Sequence, residues 1–175
     1  MNEYDFTLKF NLDNSLADTD DFIERLYAGG CDDALIGVGN KGYVALNFIR
    51  DASSAYEAIS SAIHDVKRVV PSATLIEAAP DFVGLTDAAK ILGYTQQHMT
   101  NLTLENDSKF PIPVYEGAHS VWHLAEILIW LRENQTHSID DTLLDIAQTN
   151  MNINIARSWQ KIPPDTQESI KALAV

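Results

Sequence analysis

Apolar positions in the first eighty residues switch repeatedly between a period of two and a period near 3.6, the two spacings that separate strands from helices. Tyr4, Phe6, Leu8 and Phe10 alternate with polar residues and mark a strand. Asp18 or Thr19 can cap a helix running to Tyr27, with Phe22, Ile23, Leu26 and Tyr27 at helical spacing and Gly29-Gly30 to end it. Ala34 to Val38 and Tyr43 to Ile49 follow as two strands, joined by a hairpin turn at Gly39-Asn40-Lys41-Gly42. Ser53 or Ser54 caps a second helix carrying Tyr56, Ile59, Ile63, Val66 and Val70 before Pro71, and Ala73 to Ala78 makes a fourth strand. Strand-helix-strand twice over, with right-handed crossovers, predicts an α+β fold whose first domain, residues 1–80, is a ferredoxin-like βαββαβ sandwich.

Residues 81–135 change character. Thr86 can cap a short helix from Asp87 to Leu92, Gly93 ends it, and Thr95 caps a second helix from Gln96 to about Leu104. A helix-turn-helix needs a tight turn, small residues where the helices approach, and apolar residues to lock the pair. Gly93, Ala88 and Ala89, and then Ile91, Leu92, Met99 and Leu102 meet those needs. Phe110-Pro111-Ile112-Pro113-Val114 and a hairpin around Glu116 to His119 come next. A helix from His123 to Asn134 closes the unit, with Leu124, Ile127, Leu128 and Leu131 on one face. The result is a winged helix-turn-helix. Residues 136–175 form a helical C-terminal segment, interrupted at Pro163-Pro164 and resuming from Thr166 to Leu173. Its broken apolar series Ile139, Leu143, Ile146, Ile153, Trp159 and Ile162 suits self-association.

Charge complicates the picture. The formal net charge is −13, spread as −7, −4 and −2 over the three segments, so none is a basic nucleic-acid module. Cys31 is the only cysteine, no apolar run nears the roughly 20 residues of a membrane span, and the acidic N-terminus is unlike a signal peptide, which together suit a cytoplasmic protein. No phosphate loop, nucleophile elbow or metal motif occurs, so neither an enzyme, a cofactor nor a metal is expected. His119 and His123 have a metal-compatible spacing, but they straddle the end of the wing without an evident third ligand. Lys41 to Phe48 looks like the third-strand signature of RNA-recognition motifs, yet Ala45 stands where an aromatic must stack on a base.

Leu85-Thr86, Ile91-Leu92-Gly93, Met99 and Leu102, Lys109 to Val114, Ser120-Val121-Trp122 and Glu126 to Leu131 occur in that order over about fifty residues. In these features the chain resembles the excisionase and AlpA-like branch of MerR-type winged helices. The resemblance implies a second helix in the major groove and a wing on the DNA backbone. It makes the site Thr95, Gln96, Gln97, His98, Thr100 and Asn101, with Lys109, His119 and Ser120 on the wing side. Family arginines are replaced here by Gln96, Asn101 and His123, leaving Gln and Asn to pair with adenine. The expected function is that of a DNA-binding transcriptional regulator acting on double-stranded DNA as a homodimer. The alternative is an antitoxin-like or adaptor protein whose acidic winged helix binds a protein partner.

Overall fold

The computed structural model describes residues 1–12, 19–39, 42–106, 109–134 and 138–173. Asp18 and the Asn40-Lys41 centre of the first hairpin turn lie outside them, as does the side chain of Thr19. β1 (Asn2–Asn11), α1 (Thr19–Ala28), β2 (Ala34–Val38), β3 (Tyr43–Ala52), α2 (Ala55–Val69) and β4 (Thr74–Ala79) follow one another as the hydrophobic periods require. The four strands form one antiparallel sheet in the order β2-β3-β1-β4. Phe6 lies opposite Phe48 and Leu8 opposite Leu46, so the even positions of β1 and β3 share one face, and the two phenylalanine rings stack at 5.4 Å. That face is buried against Phe22 and Leu26 of α1 and against Ala55, Ala58, Ile59, Ala62 and Val66 of α2. Alanine at three α2 positions lets the helix sit close to the bulky strand residues. α2 opens on a reciprocal cap: Ser54 Oγ accepts from the Glu57 amide, and Glu57 accepts from the Ser53 amide and hydroxyl. Those Ser53 bonds hold the Glu57 carboxyl below its ordinary value.

At the rim of this core, Arg50 donates to both oxygens of Asp33, to Asp65, to Ser61 Oγ and to the Gly30 carbonyl. Burial works against its charge, but the bonds and charges of Asp33 and Asp65 outweigh that cost and hold the guanidinium above its ordinary value. Cys31 is fully buried beside the cluster; burial, reinforced by the nearby Asp65 charge, pushes its thiol up to about 11.

β5 (Phe82–Val83) pairs with β6 (Trp122–His123) and frames α3 (Leu85–Leu92), α4 (Gln96–Glu105) and α5 (Leu124–Asn134). Two boundaries differ from the sequence reading. α3 starts two residues before Asp87, with Gly84 at its cap, so Thr86 lies inside the first turn and caps nothing. His123 belongs to β6, not to α5. Val83, Ala88, Ala89, Met99, Leu102, Phe110, Trp122 and the buried face of α5 make a second core.

α6 (Asp141–Trp159) joins the two. Asp140 caps it, accepting from the amides of Thr142 and Leu143, and α7 (Pro164–Lys171) follows with Pro164 in its first turn, where proline's missing N–H costs nothing. Ile146 is buried in the first core and Ile153 packs against it; Leu144 is buried in the second, with Ile139 and Leu143 packed alongside. Most of the apolar series read as a surface for self-association is therefore consumed within the chain. Two buried asparagines of α6 are bonded to the chain around the end of β4. Asn154 is 1% exposed; its Oδ1 accepts from the Ala78 amide at 2.9 Å, and its Nδ2 donates to the Ala78 carbonyl and to Asp81 Oδ2, both at 2.8 Å. Asn150 Nδ2 donates to the Pro80 carbonyl at 3.1 Å. At Ala78 the Asn154 side chain thus takes the place of a neighbouring strand. Among the described residues, no helix is long and apolar enough to cross a membrane.

Replacing Asn154 with the near-isosteric Leu strands the Ala78 amide and carbonyl and one oxygen of Asp81. At about 1–3 kcal/mol for each buried group left without a partner, urea denaturation is expected to show a loss of at least about 3 kcal/mol, while Asn152→Leu at an exposed position of the same helix stays within about 0.5 kcal/mol. The Cys31 thiol provides a second check. Its folded value lies above the ordinary 9.0, so its contribution to stability is complete below pH 9 and is lost as pH rises through about 11. A thiol reagent at pH 8 is expected to modify the native protein far more slowly than the urea-unfolded chain; equal rates would contradict this burial.

Candidate nucleic-acid interface

Three residues, Gly93 to Thr95, make the turn between α3 and α4. Gly93 has φ +67, the left-handed region that other residues enter at a cost, and the amides of Gly93 and Tyr94 bond back to the Lys90 and Ala89 carbonyls. Thr95 then caps α4, its Oγ1 accepting from the His98 amide at 3.1 Å. Met99 and Leu102 turn inward and lock α4 onto α3. The opposite face is left to solvent: Gln96, Gln97, His98 and Asn101 are exposed. Gln97 Nε2 donates to Asn101 Oδ1 at 2.8 Å, one helical turn away, so the two amides orient each other. His98 packs edge-on against Tyr94 at 4.9 Å. Thr100 is half-buried, and its hydroxyl is spent on the Gln96 carbonyl.

The segment between α4 and α5, read from the sequence as a wing, is fixed by aromatic packing. Trp122 Nε1 donates to the Pro111 carbonyl at 2.8 Å, and Phe110 meets Trp130 edge-on at 5.0 Å and Trp122 at 6.0 Å. Tyr115 and Val121 exchange backbone hydrogen bonds across the hairpin. An open groove of about 570 Å³ runs between the first turn of α3, Gln96 at the start of α4, and His119 and Ser120 on the returning arm of the wing. Of the nine residues read from the sequence, the structure gathers Gln96, His119 and Ser120 around this groove. Gln97, His98 and Asn101 lie along the exposed face of α4, with Thr95 at its cap. Lys109 is exposed just after α4 and does not line the groove. Local charge is mixed: Asp87 lies on the groove and 3.9 Å from Lys90, and Glu105 and Glu116 are exposed nearby.

His123 has a role the sequence reading did not assign. Its ring is buried and Nδ1 donates to Asp81 Oδ1 at 2.6 Å, while Phe82 lies over it at 4.9 Å. The residue is thus bound to the chain before α3, whereas His119, in the hairpin closed by Tyr115 and Val121, is exposed. Among the described residues, no three potential metal-ligating side chains cluster.

Comparison with protein-family models, with curated proteins and with solved structures finds no match. The functional reading therefore rests on the geometry of the chain itself.

A Cβ at Gly93 would meet nothing within 4 Å, so Gly93→Ala isolates the cost of the left-handed turn. About 1–2 kcal/mol is expected, and Thr95→Ala should cost about 1 kcal/mol through the lost cap. Each is read as a drop of a few degrees in Tm. An unchanged melting curve for Gly93→Ala would mean that the α3–α4 turn is not formed in solution.

Proposed function

We propose that this chain is a cytoplasmic DNA-binding regulator, built as a ferredoxin-like domain followed by a winged helix-turn-helix whose second helix reads the major groove. The observation that carries the reading is α4 itself. It is a helix locked on one face by Met99 and Leu102, with the amide pair Gln97–Asn101 presented on the other and a wing hairpin alongside. An Asn or Gln side chain matches the N6 and N7 edge of adenine, each good pair being worth about 1–3 kcal/mol of discrimination. In this role Asn101 reads a base and Gln97 holds it in position, while Thr95, Lys109, Ser120, His119 and Lys90 make the backbone contacts.

One observation favours a second reading, in which the winged helix binds a protein. Leu104, Ile112, Val114 and Tyr115 are 72%, 85%, 50% and 63% exposed, an apolar strip from the end of α4 into the wing. Such a strip serves a protein surface better than a phosphate backbone.

DNA selection from a random pool separates the two. The DNA reading expects an enriched A·T-containing sequence, with Asn101→Ala relaxing the preference at one or two positions and Gln97→Ala doing so more weakly. The logarithm of affinity against the logarithm of salt concentration is expected to show fewer than about four effective phosphate contacts per chain. No enrichment, or an identical preference in Gln96→Ala, Gln97→Ala, Thr100→Ala and Asn101→Ala variants, would remove α4 from DNA reading and leave the protein-binding alternative.

A further inference from the structure

The two edges of the four-stranded sheet are treated differently. β4 is bonded at Ala78 by Asn154 of α6, with Asn150 on Pro80 just beyond it, whereas β2 has β3 on one side and, among the described residues, no strand or side chain bonded along the other. An uncovered edge is a template for another strand. Asp33 accepts from the Ile49 amide, Gly39 donates to the Tyr43 carbonyl, and Leu35 lies opposite Asn47, so the odd residues of this stretch turn their polar groups toward β3. Those of Ala34, Ile36 and Val38 therefore face outward. The Ala34 amide is used internally, on the Cys31 carbonyl, which leaves the Ala34 carbonyl and both groups of Ile36 and Val38 for a partner.

We infer that β2 pairs with β2 of a second copy of this chain, antiparallel, about a two-fold axis at Ile36. In that register the Ile36 amides and carbonyls bond reciprocally, and each Val38 amide donates to the Ala34 carbonyl of the other copy. Leu35 then falls opposite Gly37 of the second copy in a pair without backbone bonds, where side chains approach most closely. The surface is shaped for that meeting. Leu35 is 75% exposed, and on the same sheet face an open groove of about 530 Å³ is lined by Gly37, Val38, Tyr43 and Ala45. A Cβ on Gly37 would meet only the Ala45 carbonyl, at 3.8 Å, so the sheet face at Gly37 is open to a side chain from outside. Leu35 is the knob and Gly37 the hole, once on each copy, as an isologous interface requires. Five strand residues per copy, with Leu35, Val38 and Tyr43 exposed beside them, place the contact at the low end of the roughly 1,200–2,000 Å² that specific pairs bury, which makes the dimer reversible. Each chain carries −13, so association strengthens as salt screens the repulsion.

Sedimentation equilibrium on the full chain, without DNA, is expected to show a monomer–dimer equilibrium with a midpoint on the order of tens of micromolar, tightening as salt is raised. Leu35→Lys and Gly37→Leu, both at exposed positions, are each expected to raise that midpoint at least about tenfold with unchanged circular dichroism. The double variant Leu35→Gly with Gly37→Leu exchanges knob and hole and restores pairing. A mixture of Leu35→Cys and Gly37→Cys chains forms a disulfide-linked heterodimer on mild oxidation. A chain that is monomeric at all concentrations overturns the proposal, and so does a dimer indifferent to Leu35→Lys and Gly37→Leu. A double variant that stays monomeric, with no heterodimer cross-link, overturns this register. The readout does not involve DNA, so it stands or falls separately from the function of α4.

Discussion

A single buried carboxylate holds the two halves of this molecule together. Asp81 is 1% exposed, and a polar side chain taken that far from water is tolerated only when its oxygens are bonded. Oδ1 takes the His123 ring N–H from β6, Oδ2 takes the Asn154 amide from α6, and the backbone carbonyl of Asp81 takes the Leu124 amide at the start of α5. Through Asn154 the same network reaches Ala78 in β4. Sheet, wing, closing helix and C-terminal helix are thus tied at one point. Apolar contacts could be made in several registers of α6 against the sheet. The bonds to Ala78, Pro80 and Asp81 admit one, and so they specify the arrangement as much as they stabilise it.

That register explains why α6 lies in both cores. With Asn154 committed to Ala78 of β4 and to Asp81, and Asn150 to Pro80, Ile146 is directed to the sheet side and Leu144 and Ala147 to the α5 side. α5 is buried on most of its circumference as a result, and Leu124, Ile127, Leu128 and Leu131 form a firm floor beneath α3 and α4. The exposed face of α4 is presented from a rigid base. Few of its own side chains anchor it: Met99 and Leu102 are its buried residues, and its last turn carries no basic residue to stabilise the helix C-terminus.

Where the sequence was legible, the reason is periodicity. The alternation of Tyr4, Phe6, Leu8 and Phe10 fixed which face of β1 is buried, because a shift of one residue would expose all four rings and chains. Gly93 and Thr95 located the α3–α4 turn because each acts locally, Gly93 through its left-handed backbone and Thr95 through its hydroxyl on the His98 amide. His123 was illegible for the opposite reason. Its position after Trp122 suggests a wing residue, and only its pairing with Asp81, forty-two positions earlier, shows a structural role. The asparagines of α6 interrupt its hydrophobic pattern. Asn150 and Asn154, one turn apart on a helix that also carries Ile146 and Ile153, were a usable signal of a buried polar ladder. The cap of α3 was misplaced because Thr86 satisfies the sequence rule while Gly84 occupies the position.

The acidity of the chain looks incompatible with DNA, but its location matters more than its sum. The −7 of residues 1–80 belongs to the sheet domain, and beyond about 8 Å exposed charges are largely screened at physiological salt. What duplex DNA would meet is α4, without a cation in its last turn, and flanks where Lys90 and Lys109 are set against Asp87, Glu105 and Glu116. Such a surface gains little from phosphate neutralisation, which supplies most non-specific affinity. Base contacts of the kind proposed for the oriented Gln97–Asn101 pair would lose nothing by that. Weak non-specific binding with intact base discrimination raises the ratio of specific to non-specific affinity, the quantity that matters against a genome of competing sites. On that proposal the loss would fall on absolute affinity, and a second copy on the same duplex would recover it through effective concentration, without adding a single cation to the interface.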